Sequence, residues 1–301
     1  MQPGAARGPF WATVGGLGLT GLILEATIRL RRIPSAWVRA NFLKTNDLEE
    51  TLNVLQERDR VSPYSVAWLD VLARGPKLGH GIVILGEWAE AEELRRAGIA
   101  EPYQTPAPRA RRVRGTAPAW LINRWSMKLF NALYYALHRR GEALVDYRTF
   151  FYPLDAIRGW NKLYGKRGFL QYQCVFPEET SREGLAALLT AVAAEGVPSF
   201  LTVLKRFGPE GPGMLSFPRA GYTLALDFAV REAVFPFLRR LDEIVLRGGG
   251  RVYLAKDARL PRETLEAMDG ERIRRWREVK MRYDPDGKFQ SALSRRVGLT
   301  P

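Results

Sequence analysis

The chain has 301 residues, 46% of them hydrophobic and 26% charged, with a formal net charge of +14, a composition able to bury a sizeable core. One cysteine, Cys174, and two histidines, His80 and His138, exclude an internal disulfide, a zinc centre and a Ser-His-Asp relay, so no metal is expected. Neither a run of about 18 apolar residues nor a signal-peptide layout is present, so the expected compartment is cytoplasmic, with peripheral attachment to the inner face of a membrane as the variant that the basic charge suggests.

In chain order the first feature is Gly16-x-Gly18-x-x-Gly21, the spacing of a dinucleotide-binding turn. That motif requires a helix opening at the third glycine and an acid about 20 residues further on. Here Leu24, Ala26, Ile28 and Leu30 alternate with Glu25, Thr27, Arg29 and Arg31, and no acid occurs between Glu25 and Asp47. The alternation predicts a half-buried strand. The glycines then form a tight passage in which missing Cβ atoms admit another backbone or a flat ligand.

Extended chain over Ala36–Leu43 precedes a helix from Asp47 to about Arg58, with Leu48, Leu52 and Leu55 on one side. Tyr64–Leu72 and Gly79–Leu85 read as paired strands across the Gly75-Pro76 turn, and Glu87–Arg96 as a helix. Pro102–Gly115 is rich in proline and arginine and reads as a surface loop. Between Gln104 and Arg140 there is no acid, whereas Arg109, Arg111, Arg112, Arg114, Arg124, Lys128, Arg139 and Arg140 supply eight positive charges. From Ala119 onward Ile122, Trp125, Leu129, Leu133 and Leu137 recur at helical spacing, widened by Trp120, Phe130, Tyr134 and Tyr135. This basic, aromatic helix is either packed on its own domain or laid on anionic lipid. Nucleic acid is not an expected partner, because no recognised motif accompanies the charge.

Beyond Tyr147–Leu154 and a helical Asp155–Tyr164, the pattern is strand Gly168–Pro177, helix Thr180–Glu195, extended Pro198–Phe207 and Leu215–Phe228, helix Val230–Leu246 and strand Arg251–Lys256. This split βαβ order predicts an α+β fold: an antiparallel sheet with helices on one face. Ala36–Leu85 opens in the same way, so both portions are expected to contribute to one wide sheet. Alternation through Arg251–Asp257 places Val252, Leu254 and Lys256 on one side and Tyr253 and Asp257 on the other. Lys256 is then either a strand-end charge reaching solvent or a cation held in a site. The same two readings apply to Lys205, to Gln171 with Gln173, and to Trp68.

Phe10–Leu30, Y-S-V-A-W-L-D, F-L-Q-Y-Q, F-P-R-A-G-Y-T-L-A-L-D-F, R-V-Y-L-A-K-D and D-P-D-G-K-F-Q-S-A-L-S-R-R occur in this order. Together they resemble the decaprenylphosphoryl-ribose oxidase family of the vanillyl-alcohol-oxidase superfamily, from Phe10 to Leu299 and most weakly across Glu87–Val145. The resemblance implies FAD as cofactor. It makes residues 1–33 the end of an FAD-binding domain with its last strand, 34–258 the substrate-binding domain, and 259–301 a helical segment packing back toward the flavin. It also implies a preceding stretch with the pyrophosphate-binding loop and a flavin-contacting histidine. The chain is therefore expected to hold an incomplete FAD site, to be inactive alone and to need a separate FAD-binding polypeptide.

Residue by residue, the resemblance makes Gly21, Leu22 and Tyr253 flavin neighbours and Lys256 the catalytic cation over flavin and sugar. Trp68, Lys205, Gln171 and Gln173 would line the sugar pocket. Phe151, Thr223 and Ala225 stand where the family has tyrosine, asparagine and cysteine, which implies a less polar pocket. The implied reaction is oxidation of a secondary alcohol by hydride transfer, with a cation at the flavin's N1–C2 carbonyl edge. Its implied substrate is a polyprenyl-phosphate pentose or related polyol, and its implied partners are an NAD(P)H-dependent keto-sugar reductase and an anionic membrane surface. The alternative is a non-catalytic sugar or lipid-phosphate binding protein, or a peripheral membrane protein, derived from such an enzyme.

Overall fold

A computed structural model describes residues 7–58, 60–107, 111–118 and 121–301. The elements are α1 (Arg7–Thr13), β1 (Trp37–Thr45), α2 (Leu48–Arg58), β2 (Tyr64–Leu69), β3 (Gly81–Trp88), α3 (Ala91–Arg96), β4 (Arg111–Arg112), α4 (Arg124–Leu137), β5 (Gly141–Asp146), α5 (Tyr147–Phe151) and β6 (Ile157–Arg158). Then follow β7 (Phe169–Pro177), α6 (Ser181–Glu195), β8 (Thr202–Phe207), β9 (Gly221–Ala229), α7 (Val234–Arg247), β10 (Arg251–Val252), α8 (Arg262–Tyr283) and α9 (Ala292–Arg296).

Eight strands form one antiparallel sheet in the order β10-β7-β9-β8-β2-β3-β1-β5. Read outward from the central β8–β2 seam, each half has the same plan. β8-β9-β7-β10 on one side matches β2-β3-β1-β5 on the other, each half opening strand, helix, strand, strand. The seam joins Ala67 to Leu204 and Trp68 to Val203, so the two similar openings in the sequence do share one sheet.

The sheet is two-faced because its side chains alternate. Tyr172, Cys174 and Phe176 of β7, Leu224 and Leu226 of β9 and Leu204 of β8 point into a core with Leu52 and Leu55 of α2, Leu185, Leu188 and Leu189 of α6, and Phe237 and Leu241 of α7. Leu265, Ile273 and Trp276 of α8 complete it. The α2 stripe Leu48, Leu52 and Leu55 is buried as its spacing predicts. Cys174 is fully buried, which raises its thiol pKa and makes it a packing residue.

The opposite face is where the structure departs from simple layering. α4 crosses to it, with Tyr134 against Trp68 at 4.8 Å between ring centroids and His138 against Phe42 at 5.2 Å. Asn131 of α4 donates to Asp70 at 2.6 Å, and His80 joins the same carboxylate at 3.2 Å. Burial works to raise Asp70, but these bonds and the Leu72 N–H outweigh it and hold its pKa below the ordinary value. Helices thus cover one face fully, and α4 with a small cluster of Leu72, Ile122, Met127 and Tyr164 covers part of the other.

Several sequence expectations are corrected. Residues 21–33 form no regular element and pair with no strand among the described residues, and Leu24, Ile28 and Leu30 are exposed; alternation without a hydrogen-bonding neighbour makes no sheet. The helix expected from Glu87 starts at Ala91, because β3 continues to Trp88. Within Pro102–Gly115, Arg111–Arg112 pairs in parallel with β6. β5, a polar edge strand, had no strong period and was not expected. Arg109 and Trp120 lie outside the described residues. The glycine run is no dinucleotide turn: it follows α1 and opens no helix. A Cβ on Gly16 would stand 2.0 Å from the Ala12 carbonyl oxygen, and Gly15, at φ +74°, abuts Ser216. The close approach is by backbone.

Candidate active site on the sheet face

Antiparallel register assembles most of the expected site residues in adjacent rows. Gln171 is paired with Asp227, Gln173 with Ala225, Ala225 with Val203, and Val203 with Trp68. In the next row Val175 pairs with Thr223 and Thr223 with Lys205. All of these side chains lie on the face opposite the α2, α6 and α7 layer. Trp68 is mostly covered by α4, whereas Lys205 is exposed.

The two glutamines are held in place. Gln171 donates Nε2–H to Asp227 Oδ1 at 2.8 Å, and Gln173 donates to Thr223 Oγ1 at 2.9 Å. Thr223 donates its own hydroxyl to the Cys174 carbonyl at 2.8 Å, which leaves its oxygen free to accept from Gln173. Each glutamine therefore keeps its Oε1 for another hydroxyl or amide.

Lys256 reaches this face by a different route from the one its alternation predicts. β10 ends at Val252, and Leu254–Lys256 is a 3₁₀ turn closed by Lys256 N–H to Tyr253 O at 3.1 Å and Asp257 N–H to Leu254 O at 3.1 Å. Val252 and Leu254 stay with the helix-side core. The turn swings Lys256 away from them, to where its charge meets those of Asp227 and Lys205. Tyr253 stacks on Phe217 at 4.5 Å.

Asp227 was missed in the sequence, although a mid-strand acid within Leu224-Ala-Leu-Asp-Phe228 is itself a signal that a partner waits across the sheet. It is 1% exposed and also receives the Tyr164 hydroxyl at 3.4 Å. Burial pushes its pKa up to about 6, against the Gln171 bond, the Lys256 charge and the Tyr164 bond. Burial likewise lowers Lys256, which Asp227 opposes and Lys205 reinforces. Tyr164 is raised by burial and by Asp227. Desolvation thus dominates, driving both members of the Lys256–Asp227 pair toward neutrality.

This end of the face suits the isoalloxazine that the resemblance implies. Among the described residues neither Lys205 nor Lys256 closes a salt bridge, and the one carboxylate between them leaves net positive charge, which suits a ring edge that takes up negative charge. Tyr253 adds a flat aromatic surface at the sheet margin, beside a cavity of about 340 Å³ lined by Gly15, Ser216, Arg251 and Arg272. Three expected residues stand apart. Gly21 and Leu22 lie in the unpaired segment, Leu22 being 76% exposed. Phe151 packs with Tyr64 at 4.9 Å, Phe150 at 4.9 Å and Trp88 at 5.6 Å rather than with the lysines.

No family model matches the chain. Its sequence is 37% identical over 292 residues to decaprenylphosphoryl-β-D-ribose oxidase of Mycolicibacterium smegmatis, covering 96% of this chain and 63% of that protein. It is 35% identical over 300 residues to an uncharacterized protein in the mprA 5′ region of Streptomyces coelicolor, covering 96% and 80%. The chain therefore spans just under two thirds of the oxidase. Among solved structures, BBE-like 28 of Arabidopsis thaliana shares the fold with a TM-score of 0.53 at 12% identity, over 95% of this chain and 61% of that one. A cysteine-to-alanine variant of berberine bridge enzyme gives 0.50 at 14% identity, over 95% and 60%. The chain is thus similar in sequence to decaprenylphosphoryl-β-D-ribose oxidase and shares its fold with BBE-like 28 and berberine bridge enzyme.

Proposed function

We propose that this sheet face is the substrate side of an FAD-dependent oxidation that converts a secondary alcohol of a sugar, a polyprenyl-phosphate pentose or related polyol, to the ketone. The supporting observation is the convergence of Lys256, Lys205, Gln171, Gln173 and Trp68 on one face around the buried carboxylate of Asp227. When bound, FAD supplies the hydride acceptor. Lys256 holds positive charge at Nζ where negative charge gathers, a preorganised cation that needs no rearrangement during the reaction. Asp227, ionised above about pH 6, opposes the loss of that proton. The free Oε1 atoms of Gln171 and Gln173 accept from sugar hydroxyls, and Trp68, covered by Tyr134 of α4, closes the far end of the Gln173 row. The hydroxyl proton passes to solvent through the open side of the face, where Lys205 is exposed. Thr223 is occupied with Gln173 and Cys174 and Ala225 has no polar group, so this part of the pocket offers the sugar few donors. The pyrophosphate-binding loop that the resemblance implies lies outside the residues that build the face.

The test is to supply the protein with an FAD-binding polypeptide and FAD, incubate it with a polyprenylphosphoryl pentose and an electron-accepting dye, then weigh the product. A lipid-linked sugar lighter by two hydrogens is expected. Tight binding of the same lipid with no oxidation of it or of simple polyols would leave the non-catalytic binding protein as the correct reading.

A further inference from the structure

The outer side of α4 is built the wrong way round for a helix packed on its own domain. Its inward positions are Met127, Asn131, Tyr134, Tyr135 and His138, with Asn131 at the centre hydrogen-bonded to Asp70. Its apolar stripe, Trp125, Leu129, Leu133 and Leu137, is 75, 63, 49 and 81% exposed. Spaced by four along 14 residues, these side chains form one ridge about 20 Å long. Phe130 and Leu121 widen it and are also exposed.

We infer that α4 docks the protein on an anionic membrane surface, lying flat with Trp125, Leu129, Leu133 and Leu137 at headgroup level. Charge complementarity selects this occupant. No acid occurs between Gln104 and Arg140, while Arg139 and Arg140, directly after the helix, and Arg111, Arg112 and Arg114, ahead of it in sequence, are exposed. Lys128 and Arg124 lie 5.7 and 6.0 Å from the Trp125 ring. Apolar ridge, tryptophan and flanking bases are the composition of an interfacial helix, and no helix among the described residues is long and apolar enough to cross the bilayer. α4 also touches the candidate site through Tyr134 and Trp68, so docking would hold that face beside lipid-borne substrate. This last point rests on the proposed function; the docking surface does not.

Vesicle sedimentation tests it with no need for turnover. The protein should bind phosphatidylcholine–phosphatidylglycerol vesicles at least ~10-fold more tightly than phosphatidylcholine alone, and should be released as salt approaches ~1 M. Leu129→Gln with Leu133→Gln alters only exposed positions, so it should retain the wild-type melting curve yet lose ~10-fold or more in vesicle affinity. Equal binding to neutral vesicles, binding to neither, or wild-type affinity in the folded double variant would overturn the inference. So would a wild-type dimer that these substitutions dissociate without lipid, which would assign the ridge to a second copy.

Discussion

Asp227→Asn should make the protein more stable at neutral pH. The unfolded carboxyl ionises at its ordinary 3.8, but in the fold burial moves it to about 6. Between those values the unfolded chain has released a proton that the folded chain retains. Stability therefore falls as pH rises from about 4 to about 6 and levels off above that. At 1.36 kcal/mol per pH unit, the ionised carboxylate costs up to about 3 kcal/mol at neutral pH. Asparagine has the same shape, can accept from Gln171 and can donate to the Tyr164 oxygen, so it removes the charge without opening a cavity. Lys256 then loses its counter-charge, which returns part of the gain. Urea unfolding across this pH range should show wild-type stability declining and the variant nearly flat, about 1–3 kcal/mol more stable near pH 7. A variant less stable at pH 7, or one with the wild-type pH slope, would refute the view that burial outweighs pairing here.

Arg259→Met should cost about 3–5 kcal/mol in urea unfolding, because it strands the Asp242 carboxylate, now paired with Arg259 at 2.7 Å and with the Tyr172 hydroxyl at 3.2 Å; a loss under about 1 kcal/mol would mean that the pair is not desolvated. Asp70→Ala removes the acceptor shared by Asn131 and His80 and should cost about 1–3 kcal/mol. It should also raise hydrogen exchange in α4 selectively; unchanged exchange there would mean that other contacts anchor the helix.

Much of the sheet was legible because β7 announces its two faces: Tyr172 and Cys174 go to the core, Gln171 and Gln173 to the site, and register carries the division to Thr223, Ala225, Lys205 and Trp68. What stayed hidden depends on partners. Leu24–Leu30 alternates as a strand should, yet nothing pairs with it among the described residues. Lys256 shares the parity of Val252 and Leu254, but a 3₁₀ turn cancels parity. Helical period placed Trp125, Leu129, Leu133 and Leu137 on one stripe, but period gives a stripe without its direction, and this one points outward. Tyr164 joins Asp227 from 63 residues away, a contact with no local signature.

The charge of Lys256 is the centre of the account, and single-turnover flavin reduction in the protein complemented by an FAD-binding polypeptide tests it most directly. Mixed anaerobically with a polyprenylphosphoryl pentose, Lys256→Met should bleach the flavin on the order of 10²-fold more slowly than wild type, with the melting curve unchanged and Lys256→Arg recovering part of the rate. A Lys256→Met protein that binds substrate and bleaches at the wild-type rate would show that this lysine is only a charge at the sheet's edge.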